Sequence, residues 1–308
     1  MNDRTRYPWL TALVALTGAL AGIASAAGVF LRGDLATREF VTARGDVVDI
    51  LMGGVYRFNG LQFASEGVGW DIVTLFLVVP ALALTLPSLF RGTLRGTLIS
   101  AGILVYFLYQ YFEYAVALAY GPFFALYVAI VALSVSGTAL LIARVDVAAL
   151  PGRFGPRFPR RAMVAFGLYM ALLLGGMWLP LIARTFNADA VAELYGGTTL
   201  VVQAFDLGIL VPVGLFTAVT VYRRLPVGHL LSAVVIVKGM SVAAGIVAML
   251  VVEGWTTGEM QLPPIVIFAL TALAGAAIAW RMYRGLDATE RSTAAPGGST
   301  LPRPAASS

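Results

Sequence analysis

Eight runs of mostly apolar residues, each long enough to cross a lipid bilayer, constrain the fold of this chain more than any other feature. The runs are continuous rather than alternating, and 12% of the 308 residues are charged. A transmembrane helix needs about 20 predominantly apolar residues and satisfies its own backbone hydrogen bonds in lipid. The strands of an outer-membrane β-barrel would show alternating polarity instead. The sequence therefore predicts an all-α polytopic membrane helix bundle.

The predicted spans form a single transmembrane bundle over residues 1–284, followed by a tail. The longest predicted loop covers 32–67, and residues 285–308 are rich in Ser, Thr, Pro, Ala and Gly, which predicts a disordered tail. Because further spans follow the first one, we expect it to be an uncleaved signal-anchor. The eight predicted spans are 9–31, 68–86, 98–120, 123–143, 162–183, 199–222, 228–252 and 263–282.

The distribution of arginine predicts the orientation of the bundle. Eight spans put both termini on one side, and the connectors on that side, with the tail, carry most of the 21 basic residues. Cytoplasmic loops have such an excess. We therefore expect a plasma-membrane protein with cytoplasmic termini and an extracytoplasmic loop at 32–67. The basic loop Arg153–Arg161 would face anionic lipid and could also meet a cytoplasmic protein, so the net charge of +5 does not require a nucleic-acid partner.

Ionisable and amide side chains inside the spans mark the candidate binding site. An ionisable residue at membrane depth is costly and is by default a candidate functional residue. At a rise of 1.5 Å per residue, Glu113 and Asp206 lie roughly 10 Å inside the outer ends of their spans, and Lys238 lies roughly at the midplane. The candidate residues for binding a solute or ion are Glu113, Asp206, Lys238, Gln203, Gln110, Tyr109, Tyr106 and Asp71.

Three classes of function remain open for a bundle with these residues. A transporter or permease for a small solute or ion would use the acids and the lysine as its site. A non-transporting sensor or assembly subunit would use them to hold helices together. A membrane-embedded lipid-modifying enzyme ranks third, because the chain has no cysteine, a single histidine, and no P-loop, nucleophile elbow or zinc motif. No metal and no cofactor is predicted.

Spans two and six share a further pattern. Each has an acid near its predicted outer end, Asp71 or Asp206, and a proline further along, Pro80 or Pro212. Many carriers are built from internal repeats, and the spacing of these two spans predicts a parallel four-plus-four repeat.

Three polar segments also carry a resemblance. The segments are Gly-Trp-Asp71-Ile-Val-Thr-Leu, Leu-Tyr109-Gln-Tyr-Phe-Glu-Tyr-Ala and Phe-Asp206-Leu-Gly-Ile-Leu-Val-Pro212. They resemble a group of multi-span bacterial membrane proteins of uncharacterised function, over spans two to seven. The resemblance implies an integral membrane protein and no particular activity.

Overall fold

The computed structural model describes residues 7–34, 36–186, 194 and 196–294. These residues form a bundle of long helices with one small β-hairpin at one end, called here the hairpin end, and the predicted all-α polytopic bundle is confirmed. The helices are α1 Pro8–Phe30, α2 Leu61–Val73, α3 Val79–Phe90, α4 Leu94–Ala117, α5 Phe124–Ile142, α6 Leu150–Phe154, α7 Arg160–Thr185, α8 Val201–Phe205, α9 Val211–Tyr222, α10 Pro226–Thr257 and α11 Leu262–Ala294. The π-helical turns Thr74–Val78 and Asp206–Leu210 join α2 to α3 and α8 to α9.

Seven segments of the described chain are long and apolar enough to cross a membrane. They are α1, α2 with α3, α5, α7, α8 with α9, α10 and α11. Helix α4 is not among them because tyrosines, a glutamine and a glutamate reduce its hydropathy. It nevertheless has 24 residues and lies antiparallel to α5, since the ring of Tyr114 meets that of Tyr127 edge-on while Leu104 lies against Gly137. Helix α4 therefore occupies the same depth as a helix that qualifies as a span.

The predicted loop 32–67 is partly folded. Its strands β1 (Thr37–Val41) and β2 (Val47–Leu51) form an antiparallel hairpin, and α2 begins at Leu61. The sequence prediction started this span at residue 68 because the first turns of α2 are polar. Those turns extend the helix beyond the apolar run, which brings further polar side chains to the hairpin end.

The last helix is also longer than its apolar run. Helix α11 continues to Ala294, so the first part of the predicted tail 285–308 is helical, and residues 295–308 lie outside the described part of the chain. Leu286 has no exposed surface, which shows that packing continues past the end of the predicted span.

Two interrupted helices give the bundle an internal repeat. Each has a π-helical turn of five residues, followed by a helix of 12 residues that has a proline near its start. Because these lengths are equal, Thr74 at the start of the first π turn is equivalent to Asp206 at the start of the second. The prediction that matched Asp71 with Asp206 is therefore wrong by three residues; the interrupted helix does recur, and the wider four-plus-four repeat stays a prediction.

The connection after each interrupted helix is repeated as well. Each connection contains one residue whose backbone is in the left-handed region. This residue is Gly92 after α3, with φ 69°, and Arg224 after α9, with φ 60°. The next helix then brings a glycine, Gly96 or Gly228, against the backbone of the helix before it, where a side chain would collide. Helices α4 and α10 are thus equivalent, and they pack against each other in the centre of the bundle. The first repeat therefore runs from α2 to α4 and the second from α8 to α10.

Candidate functional site

A cavity of about 260 Å³ opens at the hairpin end of the bundle. Its walls come from α2, α4, α7, α8 and α10, and four carboxyl groups face it. The acids are Glu66, Glu113, Asp206 and Glu253. Amide and aromatic side chains complete the polar lining, namely Gln62, Trp70, Tyr109, Trp178, Gln203 and Gln261. The cavity is therefore strongly acidic and lies between elements of both repeats.

Asp206 is held in place by two hydrogen bonds. The hydroxyl group of Tyr109 donates to Oδ1 at 2.6 Å, and the indole N–H of Trp178 donates to Oδ2 at 2.7 Å. These donors come from α4 and α7, while the π-helical turn, a feature often found at functional sites, presents the carboxyl group. A carboxylate has about four acceptor positions. Two of them remain for a ligand at the cavity wall.

Lys238 lies below the cavity in a cage of aromatic rings. Its side chain is 4% exposed, and Nζ lies 3.5 Å from the ring centroid of Tyr109, 5.2 Å from that of Tyr106 and 5.7 Å from that of Trp70. A cation at these distances is attracted by the negative faces of the rings. Nζ has no hydrogen-bond partner among the described residues. Because Tyr109 and Trp70 also line the cavity, the ammonium group lies directly behind its inner wall.

The repeat relates Lys238 to a neutral residue in the first half. Tyr106 and Lys238 are each the thirteenth residue of their helices, α4 and α10. The Tyr106 hydroxyl lies 2.7 Å from Oγ1 of Thr74, and Thr74 is equivalent to Asp206. The first repeat thus has a neutral hydrogen-bonded pair where the second has an acid and a lysine. The acid and the lysine thus occur together in the second repeat, which is the one whose pair lies beside the cavity.

Asp71 belongs to a separate, buried cluster. It accepts a hydrogen bond from the hydroxyl group of Tyr56, while the hydroxyl group of Tyr114 donates to the carbonyl of Gly67 at 2.8 Å and lies 3.4 Å from Asp71. Burial and the neighbouring carboxyl group raise the pKa of Tyr56 well above its usual range, so this hydroxyl keeps its proton. The cluster joins the segment after β2 to α2 and α4, which is a structural arrangement.

The structure brings together most of the predicted site residues. Those that line the cavity are Glu113, Asp206, Gln203 and Tyr109, and those that lie behind its wall are Lys238 and Tyr106. Asp71 and Gln110 do not line it. Gln110 is 1% exposed, and its amide atoms have no hydrogen-bond partner in the described part of the chain.

Among the cavity residues that were not predicted are two acids and two tryptophans. Glu66 falls in the predicted loop 32–67, and Glu253 comes one residue after the predicted end of span seven. Trp70 and Trp178 are neither ionisable nor amide residues, and only those two kinds of residue inside the spans marked candidate site residues. The helical spacing from Glu66 to Trp70, and from Met249 to Glu253, would have put both acids on the same faces as residues deeper in the membrane.

Comparison with known proteins gives no match. No family model, no curated protein and no solved structure is similar to the chain. The resemblance of the three polar segments to a bacterial group thus has no support from these comparisons, and the cavity is the basis for a functional proposal.

Proposed function

We propose that this protein is a multi-span transporter that moves a small solute or ion through the bundle, with Glu113, Asp206 and Lys238 at its binding site. One observation carries the proposal: two acids from different repeats face one cavity, and behind its wall lies a buried lysine that has no hydrogen-bond partner among the described residues. Charges in a poorly hydrated site interact strongly. A charged ligand there would change the protonation of these groups, which is how a carrier couples solute to protons.

The repeat supports the same proposal. Many carriers place the site where repeats meet, on helices that are interrupted near the middle of the membrane. Here the cavity lies between α2 and α4 of one repeat and α8 and α10 of the other, and Asp206 starts a π-helical turn. In the topology proposed from the arginine distribution, the hairpin end is extracytoplasmic and both termini are in the cytoplasm. The cavity would then open to the outside.

Replacement of the cavity acids should slow transport strongly without unfolding the bundle. In proteoliposomes with a trapped pH-sensitive dye, we expect solute-driven proton flux, tested with small cations, neutral solutes and anions. Glu113→Gln and Asp206→Asn keep the side-chain shape and remove one charge each. We expect each to reduce the initial rate by about tenfold or more, as for the loss of one hydrogen bond to a charged group.

The matched control is Glu39→Gln, which removes an acid from the exposed strand β1. Its flux should equal that of the unmodified protein. Equal flux in all three variants, at equal amounts of inserted protein, would contradict the proposal.

A second candidate function is a sensor or assembly subunit without transport. The cluster around Asp71 favours it, because that acid clearly holds elements together. In this case Glu113→Gln and Asp206→Asn would lower the unfolding temperature, and no solute in the panel would drive a flux in the unmodified protein.

A further inference from the structure

The surroundings of Lys238 are suited to an ammonium ion. Three aromatic rings surround its Nζ, and the shortest distance, 3.5 Å to the ring centroid of Tyr109, is that of direct contact with the ring face. Aromatic cages of this kind also recognise organic ammonium ligands. The chain's own ammonium group occupies this cage with no hydrogen-bond acceptor among the described residues.

The cavity above the cage favours cations over anions. Four carboxyl groups face it, and no lysine or arginine is among the described residues that line it. Asp206 keeps acceptor positions free, and Glu113 lies close enough to both Asp206 and Lys238 to interact with them electrostatically. An anionic ligand would be repelled by the four carboxyl groups, whereas a cation would find acceptors among them, with the Lys238 ammonium group behind the inner wall.

The apolar side chains that line the cavity indicate that the cation is organic. Apolar side chains form much of the wall between the rim and Asp206, among them Met177, Leu181, Val242, Ile246 and Met249. Among the described residues, no three acidic or histidine side chains are grouped so as to hold a metal ion. A hydrated inorganic ion would make no favourable contact with these apolar side chains, whereas the apolar part of an organic cation would pack against them.

We propose that the cavity binds an organic ammonium ion in exchange for the proton of Lys238. The head group of the ligand would lie between Glu113, Asp206 and the ring of Tyr109. Two cations this close repel each other in a poorly hydrated site. One ammonium ion therefore enters as one proton leaves Nζ for the cavity water, and the net charge of the site is unchanged. The inference rests on the proposed transport function and names its solute class.

The proton balance involves few groups. The titratable side chains that face Lys238 in the described part of the chain are Glu113, Tyr106 and Tyr109 on α4 and Asp206 in the second π turn. Trp70, the side chain that α2 contributes to the cage, does not titrate. A proton released on ligand binding can thus be assigned by replacing Lys238.

The test compares ligands of equal size and different charge on the purified full-length protein. Butylammonium and tetramethylammonium should raise the unfolding temperature and release about one proton per bound ligand into weakly buffered solution, as expected for a site that conserves its charge. Butanol and butyrate should do neither. The double variant Glu113→Gln/Asp206→Asn should bind the ammonium ions about ten- to a hundredfold more weakly, while Glu39→Gln should bind them normally.

Lys238→Met separates the exchange from simple binding. It keeps an unbranched side chain that is one atom shorter and removes the competing cation, so ammonium binding should persist or tighten while proton release disappears. Proton release that persists in this variant, or binding of butanol or butyrate as strong as that of the ammonium ions, would overturn the inference. Failure of both ammonium ions to bind the unmodified protein would overturn it too.

Flux measurements keep this inference distinct from the proposed transport function. Ammonium binding with proton release but without flux in proteoliposomes would support the exchange site and contradict transport. Proton-coupled flux of another solute, without ammonium binding, would support transport and contradict the ammonium site.

Discussion

Asp71→Ala is expected to lower the free energy of unfolding by about 2–4 kcal/mol. The substitution removes the closest acceptor of the buried Tyr56 hydroxyl group, which keeps only the Tyr114 hydroxyl at 3.3 Å, and opens a space between α1, α2 and α4. A buried polar group without a partner costs about 1–3 kcal/mol, and the empty volume adds to this. Tyr114 is less affected because it still donates to the carbonyl of Gly67. The unfolding temperature of the detergent-solubilised protein measures the effect.

The matched control is Asp206→Ala, which removes the other buried aspartate with two aromatic donors. Asp206 lines the cavity, so water can reach Tyr109 and Trp178 after the substitution, and we expect a clearly smaller loss of stability. A double-mutant cycle of Asp71→Ala with Tyr56→Phe should show strong coupling, since the two side chains share one hydrogen bond. Equal losses at the two aspartates would contradict the assignment of Asp71 to a structural cluster.

The two aspartates show what the sequence could and could not predict about the site. Depth along the spans correctly brought Glu113, Asp206 and Lys238 to one region, because an apolar run sets the depth of each residue in it. Depth alone could not separate Asp71 from this group. The face of a helix on which a residue lies depends on its packing partners, and Tyr56, which binds Asp71, comes from a loop.

The π-helical turns were a second limit. The acid and proline of spans two and six indicated a repeat, although Asp71 lies nine residues before Pro80 and Asp206 only six before Pro212. The structure shows that a π turn precedes each proline by the same distance, so that Thr74 is equivalent to Asp206. No residue type marks a π turn in a sequence, so the sequence offered the acids and not the π turns as the points to align.

Hydropathy was the third limit on the prediction. It predicted the helices of the bundle well, but it ended spans where polar residues begin. Glu66 and Glu253 lie on the helical extensions beyond the apolar runs, and these extensions form the rim of the cavity. Polar residues also reduce the hydropathy of α4, the central helix that carries Tyr109 and Glu113. The polar residues that build a site thus weaken the signal for the helices that carry it.

Gly245→Ala is expected to destabilise the bundle by about 1–3 kcal/mol and to weaken ammonium binding, because it displaces one wall of the cage around Lys238. A Cβ atom at residue 245 would lie 2.5 Å from Cη2 of Trp70 and closer still to two other indole carbons. The indole must therefore move away from α10. Trp70 both covers the ammonium group and lines the cavity, so the movement changes the inner wall of the site.

The control for this substitution is expected to stabilise the protein instead. Gly176→Ala lies on α7, where an added Cβ would have no atom within 4 Å. Replacing a helical glycine with alanine under these conditions should stabilise the protein by up to about 1 kcal/mol, because alanine has the higher helix propensity. Unfolding temperatures, tryptophan fluorescence and butylammonium binding compare the two variants. If Gly245→Ala behaves like Gly176→Ala in all three measurements, then close packing of Trp70 against α10 does not hold the cage together.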